Sequence, residues 1–195
     1  MTAKTGDRKD QILQTLAQML ENPAGEKVTT AALAARLGVS EAALYRHFKG
    51  KAEMFEGLIE FIEQALFGLI NKITGEEKSG VRQLESIIAV LLAFAQKNCG
   101  MTRVLIGDVL VNEDGRLQAR INQLHDRLEA ALKQALRFGV SQREIAPEVD
   151  IAAHANLLMS FVIGRWHLFA KSGFKRDPAE LWAKQWRLLM EGVIA

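Results

Sequence analysis

The sequence is poor in cysteine, in proline and in long apolar runs, which argues against disulfide-stabilised, strand-rich and membrane-spanning proteins. Its 195 residues include one cysteine, Cys99, so no internal disulfide can form, which fits a reducing cytoplasm. Only three prolines occur, and apolar residues seldom alternate with polar ones, which argues against a protein built from strands. The longest apolar run, residues 87–95, is far shorter than the ~20 residues of a membrane span. The first ten residues lack the apolar segment of a secretory signal, so we expect a cytoplasmic protein.

Catalytic and metal-binding motifs are also missing. No GxSxG, GxGxxG, phosphate-loop or HExxH pattern occurs, and the four histidines have no metal-ligand spacing with Cys99. Glu60 and Glu63 could be imagined as paired carboxylates, but on a long exposed helix a solvated face explains them better. We therefore expect neither an enzyme nor a bound metal or cofactor.

Charge is nearly balanced, with a net value of +2, but it is unevenly spread. Residues 1–51 hold eight Lys/Arg and five Asp/Glu, a balance of +3, whereas residues 52–195 hold seventeen and eighteen, a balance of −1. The asymmetry points the first segment toward an anionic partner, although a solvated surface explains it equally well.

The pattern of apolar residues predicts an all-α protein of nine helices. Leu, Ala, Glu, Gln, Lys and Arg dominate, and apolar residues recur at helical spacing along nearly the whole chain. The fifth predicted helix is apolar nearly all round, so we expect it to be central and buried. In order, the predicted helices cover residues 8–20, 30–37, 40–48, 51–73, 81–97, a short piece from 101, 113–137, 150–171 and a last helix from about 178.

The segment Thr30–Phe48 has the spacing of a helix-turn-helix. Two short helices are joined by LGVS, in which Gly38 can adopt the positive φ of a tight turn. In such a unit the second helix enters the major groove by its N-terminal residues. Here these residues are small enough for the backbone to approach the bases, with one carboxylate among them: Ser40, Glu41, Ala42 and Ala43.

Groups that can bind phosphate surround this unit. Tyr45, Arg46 and His47 stand side by side at the end of the second helix, and Lys51 opens the next helix. Thr29 and Thr30 precede the first helix, where they can cap it, contact phosphate, or both. The simpler alternative is that helix pairs of this kind are plain packing units with ordinary charged surfaces.

The tract TTAALAARLGVSEAALYRHFKGKAEMF, residues 29–55, resembles the DNA-binding domain of the TetR family of transcriptional regulators. The resemblance implies an all-helical homodimer that binds palindromic double-stranded DNA. It also implies a three-helix DNA-binding domain at 1–51, with the helix-turn-helix at 30–48, and a regulatory and dimerising domain at 52–195.

The segments that follow the DNA-binding tract resemble one branch of the TetR family more than the others. LIEFIEQALFGLINKI and TRVLIGDVLVNEDGRLQARINQLHDRLEAALKQALR, residues 58–73 and 102–137, are similar to one branch of the family, the proteobacterial nucleoid occlusion factors. That branch implies a nucleoid-associated protein that binds chromosomal sites and antagonises assembly of the tubulin-like division protein. It further implies that the C-terminal tail of the division protein docks at Phe61, Val90, Ala93, Lys97 and Asn98. Alternatively, the apolar members only pack helices together, and Lys97 only complements a helix dipole.

Two late helices carry a candidate dimer seam. Ala153, Leu157, Ser160 and Gly164 recur at intervals of four, three and four residues. Trp182, Trp186, Leu189 and Val193 repeat this spacing, so the two helices could form a four-helix interface across a two-fold axis. The alternative is that Trp182 and Trp186 only seal the core of the monomer.

Two other functions remain open from the sequence. The first is a ligand-responsive repressor, whose small-molecule pocket would be lined by Met101, Val104, Leu105, Met159, Phe161, Trp166 and Phe169. Apolar residues at helical spacing are, however, more often core residues. The second is an architectural nucleoid protein with no protein partner.

Overall fold

A computed structural model describes residues 5–22, 28–111 and 113–195, with side chains from residue 8 onward. Within these ranges the chain forms nine α-helices and no strand, which confirms the predicted all-α class. A short 3₁₀ turn covers Asp108–Leu110, and an isolated antiparallel bridge joins Ile145 to Ile194. The helices are α1 Thr5–Leu20, α2 Thr30–Leu37, α3 Glu41–Tyr45, α4 Lys51–Glu76, α5 Gly80–Lys97, α6 Cys99–Leu105, α7 Gly115–Ser141, α8 Ile151–Lys171 and α9 Trp182–Leu189.

Several helices begin or end a few residues from their predicted bounds, and for α3 and α9 the structure shows the local reason. The amide of His47 bonds to the carbonyl of Leu44 at 2.9 Å, so the chain turns and α3 ends at Tyr45 rather than at residue 48. The last helix was expected from Pro178 but begins at Trp182. The amides of Glu180 and Trp182 bond to carbonyls three residues back, at 3.4 and 3.0 Å, so residues 178–181 form turns rather than α-helix. The Arg165 guanidinium holds this turn by donating to the carbonyls of residues 177 and 178, at 2.7 and 2.8 Å.

The first compact unit holds the described residues up to Ile62 together with Asn98–Ile121. In it, α1 packs against α2 and α6. Gly100 permits the close approach of α6, because a Cβ there would lie 1.9 Å from the carbonyl oxygen of Ala17. Arg103 strengthens the contact by donating to the carbonyls of Leu20 and Asn22, both at 3.3 Å.

The second compact unit holds Glu63–Lys97 and Asn122–Ala195. Its centre is α5 against α8, with α5 residues from Leu84 to Ala95 buried along the helix, as its composition predicted. The indole of Trp166, which is fully buried, donates to the carbonyl of Leu91 at 3.0 Å.

The two units do not coincide with the predicted domains 1–51 and 52–195. Residues 98–121 cluster with the N-terminal helices because α6 is held against α1. The functional division at residue 51 stays a prediction.

Among the described residues, no single helix is long and apolar enough to span a membrane. The bent pair α5 and α6 meets the length and hydropathy criteria only when its two helices are counted together.

Candidate nucleic-acid interface

The helix-turn-helix forms at the predicted residues. Thr29 caps α2 by accepting from the Ala32 amide at 3.1 Å, and Ser40 caps α3 by accepting from the Ala43 amide at 3.3 Å. Between them Gly38 has a φ of 67°, the left-handed conformation that ends α2. These local bonds fix the start of α3, the helix that would enter a DNA groove.

The hydroxyl groups of Thr29, Thr30 and Ser40 differ in whether their hydrogen is already used in a bond within the protein. Thr29 and Ser40 only accept in their capping bonds, so each keeps its hydrogen for an acceptor such as phosphate oxygen. Thr30 donates its single hydrogen to the Glu41 carboxylate at 2.7 Å. Thr30 is therefore already committed as a donor, which weakens the prediction that its side chain donates directly to phosphate.

The outer face of α3 carries the other predicted contacts. Tyr45 is 48% exposed, and Ala42 and Arg46 are exposed beside it. His47 is half-buried, and its Nδ1 is buried without a hydrogen-bond partner among the described residues. Ala43 is likewise half-buried. Ala42, Tyr45 and Arg46 are thus accessible on the outer face of α3, and their contact with DNA stays a prediction.

Lys51, which the sequence predicts to bind phosphate, is paired with a carboxylate of the protein itself. Its Nζ forms an ion pair with Glu113, in the segment that follows the 3₁₀ turn, and lies 5.6 Å from the centre of the Phe55 ring. Lys51 would have to exchange Glu113 for a phosphate. Lys49, which belongs to the same basic stretch of the sequence, is exposed. Lys9, which the sequence pattern did not indicate as a contact, lies over the Phe48 ring at 5.3 Å.

The predicted seam on α8 is exposed in the protomer. Leu157 is 51% exposed, Ala153, Ser160 and Gly164 are exposed with it, and a Cβ built at Gly164 would meet nothing within 4 Å. Leu168 extends the row by one turn at 45% exposure. An apolar helix face of this kind is typical of an interface.

On α9 the outward residues are not those predicted. Trp186 is buried, 7% exposed, and packs against Trp182 with ring centroids 5.4 Å apart and planes tilted by 48°, so Trp186 seals the core of its own unit. Trp182 and Leu189 are half-buried. Val193 is also buried, beyond the end of α9. Leu188, at 70% exposure, faces outward instead.

The residues predicted to bind the tail of the division protein are divided between the two compact units. In the second unit Val90, Ala93 and Lys97 share one face of α5; the first two are half-buried and Lys97 is exposed in the last turn. In the first unit Phe61 is 46% exposed on α4, and Asn98 precedes α6. Phe61 and Lys97 are thus accessible, whereas Val90 and Ala93 also pack their helix.

Most residues of the alternative ligand pocket are core residues. In the first unit Met101, Val104 and Leu105 are buried. In the second unit Met159, Trp166 and Phe169 are buried, and the Phe161 ring packs against the Trp182 ring with their centroids 6.0 Å apart. The second unit contains a different opening, a cleft of about 620 Å³ lined by residues of α4, α5 and α7, among them Phe67, Ile70, Gln83, Arg127 and Phe138.

Comparison with known proteins covers both halves of the chain. Residues 12–58 match the family described as bacterial regulatory proteins of the tetR family, and residues 78–193 match the SlmA-like, tetracyclin repressor-like C-terminal domain. The chain belongs to the TetR family. Within that family it is 47% identical to the nucleoid occlusion factor SlmA of Marinomonas sp. over 194 residues, covering 100% of this chain and 98% of the relative. It is 50% identical to SlmA of Alteromonas mediterranea, covering 94% of each.

Solved TetR-family structures share the fold. A TetR regulator from Haloarcula marismortui superimposes with a TM-score of 0.82 at 16% identity, covering 97% of this chain and 100% of that one. The regulator FadR from Bacillus subtilis, solved with stearoyl-CoA, gives 0.77 at 17% identity, covering 94% and 98%. At 16–17% identity these similarities establish the fold of this TetR-family chain, and they carry no information about its ligand or its DNA site.

Cys99 does not have the setting of a reactive thiol. Burial and then the charge of Glu21 raise its pKa above the ordinary value of 9.0, so the thiolate is disfavoured. Among the residues that the structure describes, no group of three or more His, Cys, Asp or Glu is placed to hold a metal ion.

Proposed function

We propose that this protein is a sequence-specific DNA-binding homodimer that acts as a nucleoid occlusion factor. Bound to palindromic chromosomal sites in the cytoplasm, it antagonises assembly of the tubulin-like division protein. The observation that carries the proposal is the 46–50% identity to SlmA relatives along the whole chain, including the C-terminal half.

The exposed face of the helix-turn-helix supports the DNA half of the proposal. Free hydroxyl donors at Thr29 and Ser40, and exposed Tyr45 and Arg46, bind phosphates, while Ala42 lets the backbone approach the bases. Two copies related by a two-fold axis place their α3 helices about 34–36 Å apart, or at a multiple of that distance, and so select a palindrome. The exposed row on α8, from Ala153 to Gly164, supplies the interface for that axis.

The second half of the proposal concerns α5. The C-terminal tail of the division protein is acidic and apolar, and Lys97 offers an exposed cation beside half-buried Val90 and Ala93. Phe61 on α4 and Asn98 before α6 are the further candidate contacts. Apolar anchors supply most of the affinity of such a peptide, and the lysine sets its orientation.

Charge reversal at Lys97 tests this surface. Binding of a labelled tail peptide to wild type, Lys97→Glu and Lys175→Glu is measured at physiological salt, together with DNA binding. Lys175 is another exposed lysine in the second unit and serves as the matched control. Only Lys97→Glu is expected to lose the peptide, and all three are expected to bind DNA. Undiminished peptide affinity in Lys97→Glu would place the tail elsewhere.

The cleft of about 620 Å³ in the second unit favours a second candidate function, a ligand-responsive repressor. Its volume is in the range of small-molecule sites, and Arg127 lies 4.1 Å from the centre of the Phe67 ring at its wall. A repressor would release DNA on binding a small molecule and would have no effect on division-protein polymers.

A further inference from the structure

The helix that enters the groove begins with a carboxylate held in a fixed position. Glu41 is exposed at the first position of α3, and its Oε2 accepts from the Thr30 hydroxyl at 2.7 Å. Thr30 is the first residue of α2, so the bond joins the starts of the two helices of the helix-turn-helix. It orients one carboxylate oxygen and leaves Oε1 able to accept from another donor.

The remaining residues of α3 leave few groups that can read a base. Leu44 is buried, and Ala42 and Ala43 present only methyl groups. Glu41 and Tyr45 are therefore the two polar side chains of α3, and Glu41 lies at the end that approaches the groove.

A carboxylate on this face is unfavourable unless a donor meets it. Close to phosphates its charge repels DNA of any sequence. In the major groove, cytosine presents its N4 amino group, which is the base donor that Glu and Asp side chains accept from. A cytosine at the right position therefore offsets the repulsion, whereas guanine and thymine present only acceptors or a methyl group there, and adenine pairs its amino donor with the N7 acceptor that suits an amide side chain better than a carboxylate.

We propose that Glu41 reads a cytosine at one position of each DNA half-site and that Thr30 is its positioning residue. This inference rests on the proposed function, since it requires that the chain bind DNA as a dimer. It also changes the role of Thr30 from a direct phosphate contact to the support of a base contact.

Binding-site selection tests this assignment. The full-length wild type, Glu41→Gln, Thr30→Val and Arg46→Gln select from a randomised duplex library, and affinities are then measured on the selected site and its single-base variants. For wild type, replacing the one cytosine should weaken binding roughly 5- to 150-fold. Glu41→Gln should lose that discrimination or shift it to adenine, at that position alone. Thr30→Val, which keeps the side-chain volume, should reduce discrimination at the same position with an unchanged melting temperature.

Arg46→Gln is the contrast, because removing a phosphate-binding side chain weakens all sequences alike. Glu41→Gln binding every sequence more tightly with unchanged base preferences would overturn the inference while leaving DNA binding intact. Full discrimination in Thr30→Val would overturn its positioning role. Should wild type enrich no sequence, the proposal of specific DNA binding fails, and the role of Glu41 fails with it.

Discussion

Replacing Leu157 with lysine should separate the proposed dimer without harming the protomer. Full burial of a leucine is worth about 1.5–3 kcal/mol. Leu157 is 51% exposed in the protomer, so about half of that gain is left for the interface. A two-fold axis uses the residue twice, which gives about 1.5–3 kcal/mol per dimer, or roughly 10- to 150-fold in the dissociation constant.

Sedimentation over a range of protein concentrations measures that constant. Leu69→Lys is the matched control, because Leu69 is 44% exposed on α4 of the same unit and lies outside the seam. Leu157→Lys should dissociate at higher concentration than wild type, and Leu69→Lys should not. Thermal unfolding of the two variants should be alike at concentrations where both are monomeric. Equal dissociation constants for all three proteins would remove α8 from the interface.

Three further perturbations test the fold and the DNA surface. Gly100→Ala places a Cβ 1.9 Å from the carbonyl oxygen of Ala17 and should destabilise the fold by about 1–3 kcal/mol; an unchanged thermal midpoint would contradict this packing. Tyr45→Phe combined with His47→Ala should weaken binding to all sequences alike, because both side chains are assigned to the DNA backbone; an effect at one base position only would refute that assignment. Burial lowers the pKa of His154 below 6.5, so the unfolded chain binds its proton more readily and stability should fall as pH drops below 6.5. Denaturant titrations should show a smaller fall for His154→Gln, and identical pH profiles would exclude this histidine.

Local signals explain why much of the DNA-binding region could be predicted. A threonine or serine before a helix and a glycine after it act on neighbouring residues, so Thr29, Gly38 and Ser40 have the predicted roles. The apolar composition of α5 likewise predicted that this helix is buried. Such features depend on residues within one or two turns of each other.

Contacts between distant residues could not be predicted in this way. Lys51 was expected to bind phosphate, but its partner Glu113 lies 62 positions along the chain. Trp186 fits the periodicity of a seam, yet the packing of α9 turns it inward. The turn that precedes α9 is held by Arg165, on the preceding helix. In each case tertiary packing, rather than the local pattern, selects the partner of the side chain.

Polymerisation of the purified tubulin-like division protein, followed by light scattering, tests the central claim most directly. The chain is added with its selected DNA site, with a scrambled duplex of equal length, and without DNA. The proposed function predicts that polymer falls most strongly with the selected site, and that Lys97→Glu loses this effect while still binding the site. Polymerisation that is unchanged under all three conditions, with DNA binding confirmed in the same samples, would contradict the account.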